Sequence, residues 1–167
     1  AGEPLAGEER LATVLQVLPA LGASGGVERG TVEIAGAVVE AGGRAIVASA
    51  GGPLVHDLAR VGAEHFELPL DSKNPVTLWR NVDRLADIVH ARSRAPAWSA
   101  WAAAKRTGTH YVTTFHGTYG ASNHFKRVYN SVMTRGERVI AISQFIAGHV
   151  RQLYGVPANK IRVIHRG

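Results

Sequence analysis

The chain contains no cysteine and a single methionine. Neither a disulfide framework nor a cysteine-ligated zinc site is therefore available, and an adaptable Met-rich binding surface is excluded. These absences fit a reducing compartment and set the expectation of a cytoplasmic protein. No apolar run approaches the roughly 20 residues that span a bilayer. The opening Ala1-Gly2-Glu3-Pro4 lacks the basic region and apolar core of a secretory signal. Also missing are GxGxxG, GxxxxGK(S/T) and HExxH, which removes support from dinucleotide, P-loop and zinc-protease readings. No His, Asp or Glu cluster has a metal-ligand spacing, and Glu28, Glu33 and Glu40 read as the solvated face of one helix rather than as a glycosidase carboxylate pair.

What is present suits one compact domain: 167 residues, 46% of them hydrophobic. Nineteen Lys and Arg against 13 Asp and Glu give a formal charge of +6, which favours anionic partners such as nucleic acid, anionic lipid or phosphorylated metabolites. The cations read as scattered along the chain among carboxylates, without a nucleic-acid-binding motif, so that partner class lacks the clustered basic and aromatic face it needs.

Short β-rich runs recur along the chain. They lie at Leu11 to Leu18, Ala45 to Ser49, His65 to Leu68, Ile88 to Ala91, Tyr111 to Phe115, Val139 to Ile142 and Ile161 to Ile164. Their apolar residues do not alternate with polar ones, as expected of strands buried on both faces. Val27, Ile34, Ala35 and Val38 repeat at helical spacing after the first run, and Leu78, Val82, Leu85 and Val89 do so later. Ser143 is placed to cap a helix through Phe145, Ile146, Val150 and Leu153 that Gly155 and Pro157 end. Alternating strands and helices predict a Rossmann-like three-layer α/β/α domain with a mainly parallel sheet of about seven strands. Residues 1–10, polar and rich in Gly, read as a flexible leader to it.

In such a sheet ligands sit beyond the carboxyl ends of the strands. Three segments fall there. The small-residue loop Pro19 to Gly26 opens the first helix, where backbone N–H groups favour an anion, although a plain tight turn accounts for it equally. The run Tyr111-Val112-Thr113-Thr114-Phe115-His116-Gly117 ends a buried strand in an imidazole followed by a residue without a side chain. His116 is the strongest single site residue, its alternative being a structural histidine bonded to a backbone carbonyl. Arg92, Ser93 and Arg94 follow the fourth strand. Two guanidinium groups sharing one strand face would hold a phosphate or carboxylate, and the alternative is solvated arginines before a helix. Farther on, Phe125, Val128, Tyr129 and Val132 form an apolar stripe beside Lys126 and Arg127, expected to pack on the sheet or to lie on anionic lipid.

In order along the chain, Gly25-Gly26-Val27-Glu28, His90 through Trp98, Thr114-Phe115-His116-Gly117, Val139 through Ser143 and Tyr154-Gly155-Val156-Pro157 through Gly167 resemble the N-terminal half of family 4 glycosyltransferases. The resemblance spans residues 11–167 and is closest to the bacterial branch that builds cell-surface polysaccharide or lipopolysaccharide core. It implies one half of a GT-B fold: an acceptor-side domain whose donor-binding partner domain lies beyond Gly167, so that the isolated chain would be inactive. It further implies metal-independent transfer, with retention, from a nucleotide sugar to a cell-envelope glycan or lipid-linked acceptor, with no cofactor. By the same resemblance His116 is the catalytic residue, Gly25, Gly26, His116 and Gly117 meet the donor, and Arg92, Ser93, Arg94, Tyr119, Lys126 and Arg127 meet the acceptor. Peripheral contact with an anionic membrane at its inner face is part of that expectation. Two departures from the pattern stand out: a short helix before Ile88, and His165 where proline is common. A non-catalytic α/β ligand-binding module is the alternative. A flavodoxin-like regulatory version of it lacks the carboxylates expected after the first strand, since none occurs from Pro19 to Gly26.

Overall fold

The structure, a computed structural model, describes residues 11–68 and 86–165. The proposed leader at residues 1–10, and Leu78, Val82 and Leu85 of the second helical pattern, lie outside the described residues.

Seven strands form one parallel sheet: β1 (Thr13–Val17), β2 (Arg44–Ser49), β3 (Glu64–Glu67), β4 (Ile88–Ala91), β5 (His110–Phe115), β6 (Arg138–Ala141) and β7 (Ile161–Val163). All seven coincide with the β-rich runs of the sequence. Their order, β3-β2-β1-β4-β5-β6-β7, is a doubly wound arrangement in which β1 and β4 are neighbours and the chain turns outward in opposite directions from them.

The helices are α1 (Gly26–Glu40), α2 (Val55–Arg60), α3 (Arg94–Thr107), α4 (His124–Asn130) and α5 (Gln144–Tyr154). Both faces of the sheet are covered, which is why the strands show no polar alternation. In β2, Ile46 and Ala48 join one core with α3 and α5, whereas Ala45 and Val47 join the other with Ala35 of α1 and Leu58 of α2. α3 meets the sheet through a stripe of alanines, Ala97, Ala100, Ala103 and Ala104, all essentially buried. Small side chains there bring the helix axis close to the strands, and Trp98 and Trp101, partly buried, pack at the margin of the same core.

Capping follows local chemistry. Ser143 accepts a hydrogen bond from the Ile146 backbone N–H at 3.2 Å, and Gly155 ends α5 in the left-handed region at φ 64°. α2, absent from the sequence reading, is six residues long and carries neither a side-chain cap nor a long periodic pattern.

Three expectations are corrected. Val89 is the buried centre of β4 rather than part of a helix, the apolar spacing having run on by coincidence from one segment into the next. β4 ends at Ala91 and Arg94 is the first residue of α3, so Arg92 and Arg94 do not share a strand face. The stripe on α4 does not pack on the sheet: Phe125 is 83% exposed, Val128 and Tyr129 are each 45% exposed, and only Val132, in the following 3₁₀ turn Ser131–Thr134, is buried.

Candidate functional site

Where β1 and β4 part, a cleft of about 280 Å³ opens at the carboxyl edge of the sheet. Leu18, Pro19 and Ala20 from the first loop, Val27 and Glu28 from α1, Arg92, Ser93 and Arg94 from the β4–α3 turn, and Tyr119 from the loop after β5 line it. The first loop is held in place by the next one: Leu21 N–H donates to Gly51 O at 2.9 Å and Leu54 N–H to Leu21 O at 3.2 Å.

Gly25 caps α1 in an extended conformation and Gly26 is its first residue. The Glu28 side chain folds back so that a Cβ on Gly25 would overlap its carboxylate. An anionic group of the protein thus already sits at the helix N-terminus, the end of the dipole that favours negative charge. Glu28 was read from the sequence as solvated surface. Its spacing of three from the capping glycine is the signal that places it in the first turn.

Arg92 is 2% exposed. Its backbone N–H donates to Val17 O at 3.1 Å and its guanidinium to Gln16 Oε1 at 3.3 Å, while Gln16 Nε2 donates to Thr31 O at 3.0 Å. A buried polar chain therefore ties β4 through β1 to α1 beneath the cleft. Arg94 donates to Asn130 Oδ1 at 2.9 Å and lies with its guanidinium carbon 4.4 Å from the Tyr119 ring centroid. Asn130 in turn donates to Gly120 O at 3.2 Å, closing the loop around Tyr119. Burial raises the Tyr119 hydroxyl above its ordinary pKa, opposed by the Arg94 charge and by a hydrogen bond from the His116 backbone.

His116 and Gly117 leave β5, the strand next to β4, at the same edge of the sheet. His116 is partly exposed. A Cβ on Gly117 would meet nothing within 4 Å, so local crowding does not account for a glycine there. One residue pair below, His90 is buried, with Nε2 2.7 Å from Thr114 Oγ1. Burial, then the charges of Arg92 and His116, push its pKa down to about 3, which keeps it neutral near pH 7.

The structure therefore brings the first loop and helix start together with Arg92, Ser93, Arg94 and Tyr119 around one cleft, with His116 and Gly117 on the adjoining strand end. Lys126 and Arg127 stand apart on the exposed face of α4 and do not line that cleft. The sequence reading passed over Gln16 and Asn130, because a polar residue inside a strand or at a helix end carries no motif.

A doubly wound parallel sheet with a cleft at its β1/β4 switch point defines a Rossmann-like α/β domain with its candidate site where such sheets bind ligands. The chain belongs to glycosyltransferase family 4, whose model matches residues 24–167. A glycosyltransferase from Rickettsia africae ESF-5 is 43% identical with a TM-score of 0.79, over 93% of this chain and 43% of that one. Anabaena Alr3699/HepE, solved with UDP-glucose, shares 19% identity and a TM-score of 0.76 over 93% of this chain and 44% of its own. The lipopolysaccharide outer core galactosyltransferase WaaB shares 14% identity and a TM-score of 0.67, over 92% and 45% of the two chains. The chain thus spans less than half the length of these neighbours, and the fold is the GT-B type of domain that they contain. No curated protein matches it.

Proposed function

We propose that this chain supplies the acceptor-side half of a retaining glycosyltransferase that moves a sugar from a nucleotide-sugar donor to a glycan or lipid-linked acceptor of the cell envelope. The observation that carries the reading is the convergence, at the β1/β4 switch point, of the α1 N-terminus, Arg92, Arg94 and Tyr119, with His116 on the next strand end. A solved neighbour of the same fold holds UDP-glucose, which supports a nucleotide-sugar donor, and WaaB supports an envelope acceptor.

In the reaction an acceptor hydroxyl attacks the anomeric carbon on the face from which the donor phosphate departs, the bond to that phosphate breaks, and the hydroxyl proton leaves with the nucleoside diphosphate. Charge accumulates on the leaving phosphate and needs preorganised donors. The N–H groups at Gly25 and Gly26 are suited to that role, and on this reading no metal is required. Binding the donor there requires the Glu28 carboxylate to swing away, because two anions do not share one helix end. On this reading His116 meets the transferred sugar, and Arg92 and Arg94 serve the acceptor side of the cleft. In this scheme the chain alone binds substrates weakly and does not turn over, the remaining donor contacts coming from a second domain. Activity belongs on the cytoplasmic side, where nucleotide sugars are made.

The test is transfer by the intact natural protein across a panel of nucleotide sugars, with His116→Ala beside it. Turnover of at least one donor, reduced about 100-fold or more in the variant, is the expected result. A protein that binds and consumes none of them overturns the proposal in favour of a non-catalytic binding module.

A further inference from the structure

The turn that follows His116 is held by contacts made at its middle. A Cβ at Gly117 or at Gly120 would meet nothing within 4 Å, so packing around neither glycine restrains the turn. Glycine widens the backbone's choices, and an unrestrained turn lets the residue before it move. The contacts that do restrain it converge on Tyr119. Its ring centroid lies 5.2 Å from that of Phe115 and 4.4 Å from the Arg94 guanidinium carbon. Its carbonyl accepts from the Tyr154 hydroxyl at 3.3 Å. Its own hydroxyl accepts from the His116 backbone N–H, three residues back.

Asn130 secures this arrangement from outside the cleft. It ends α4, is 1% exposed and is not among the residues that line the cleft. Its Oδ1 accepts from Arg94 at 2.9 Å, and its Nδ2 donates to Gly120 O at 3.2 Å. One amide therefore fixes both the cation against the Tyr119 ring and the residue that follows Tyr119. The two bonds need an acceptor and a donor on the same short side chain, which a carboxylate or an aliphatic residue does not offer.

We propose that Tyr119 and Asn130 are positioning residues for transfer, setting where the His116 backbone, and with it the imidazole, stands at the end of β5. For Tyr119 this replaces the acceptor contact that the resemblance implies. The inference rests on the role of His116 proposed above and says what makes that role possible. Positioning of this kind is worth a large factor, since a displacement of about 1 Å costs on the order of 100-fold in rate even when the altered residue touches no substrate. Burial raises the Tyr119 hydroxyl above its ordinary pKa, so the group that holds His116 stays neutral at neutral pH.

The test pairs amide exchange with kinetics on the intact natural protein. Tyr119→Phe keeps the ring beside Arg94 and removes only the hydroxyl; Asn130→Ala removes both bonds of the outer support. Exchange of the His116 N–H, followed by NMR without substrate, should quicken by about tenfold or more in each variant, while the amides of β1 keep the parent's rates. In transfer, kcat should fall by about tenfold or more with the acceptor KM unchanged. Thr107→Val, which deletes a hydroxyl bonded to Ala103 O in the last turn of α3, should alter neither. Unchanged exchange at His116 or an unchanged kcat overturns the inference. So does a raised KM at constant kcat, which makes Tyr119 an acceptor contact, or an equal quickening at His116 and β1 in both variants, which makes the two residues structural alone. Exchange is read without donor or acceptor, so a parent that transfers no sugar overturns the proposed function while exchange still decides whether these residues hold His116.

Discussion

The Arg94 guanidinium carbon lies 4.4 Å from the Tyr119 ring centroid, so one side chain from the start of α3 fixes the loop that follows β5. Planarity matters to that contact, because the same guanidinium donates to Asn130 while its carbon lies over the ring. Arg94→Lys keeps the charge and loses the stacked, edge-bonded geometry. It is expected to cost about 1–2 kcal/mol, read as a lower denaturation midpoint, and, as a test of the proposed acceptor role, to weaken acceptor binding as Arg94→Ala should. A lysine variant as stable as the parent would show that charge alone is sufficient.

Gln16 is 1% exposed at the centre of the sheet, joining Arg92 to the Thr31 carbonyl. Gln16→Leu fills similar space yet removes both hydrogen bonds beneath a buried cation. Urea titration should show a loss of about 2–3 kcal/mol, larger than a neutral buried pair would give. Thr31→Val, which removes only the hydroxyl that bonds Val27 O at 2.8 Å within α1, should cost less.

His90 supplies an acid-sensitive term. Its folded pKa of about 3 lies far below the ordinary histidine value, so between those two values the unfolded chain binds the proton and the folded chain does not. Stability is therefore fully present above about pH 6.5 and falls as the solution is acidified through that window, by up to about 1.4 kcal/mol per pH unit. Denaturant titrations at pH 7, 6, 5 and 4 should show this slope in the parent and a shallower one in His90→Gln. An unchanged slope would assign the acid sensitivity to other groups.

Gly52 and Gly22 form a matched pair for the first loop. Gly52 has φ 142°, and a Cβ there would collide with the Leu21 carbonyl; a Cβ on Gly22 would meet nothing within 4 Å. Gly52→Ala is expected to lose about 2 kcal/mol or more and to displace the loop that lines the cleft. Gly22→Ala should be close to neutral, and calorimetry of both variants separates backbone demand from mere loop composition.

Some of this molecule was legible before any coordinates. The strand runs were readable because two covered sheet faces demand unbroken apolar segments. Ser143 and Gly155 were readable because caps depend on a few neighbouring atoms. The end of β5 at Phe115, just before His116, was readable because its apolar run stops on a polar side chain. The stripe on α4 was misread because periodicity reports which residues share a face and not what, if anything, covers it. Gln16 stayed hidden because its use depends on Arg92, 76 positions away.

The amino-acid sequence by itself determined the seven strands and the capped helix after β6, since each arises from local pattern. Only the tertiary structure decided that Glu28, Arg92, Arg94 and Tyr119 share a cleft. The physical reason is the strand order: pairing β1 with β4 brings distant loops to one edge, and no spacing along the chain encodes which strands become neighbours.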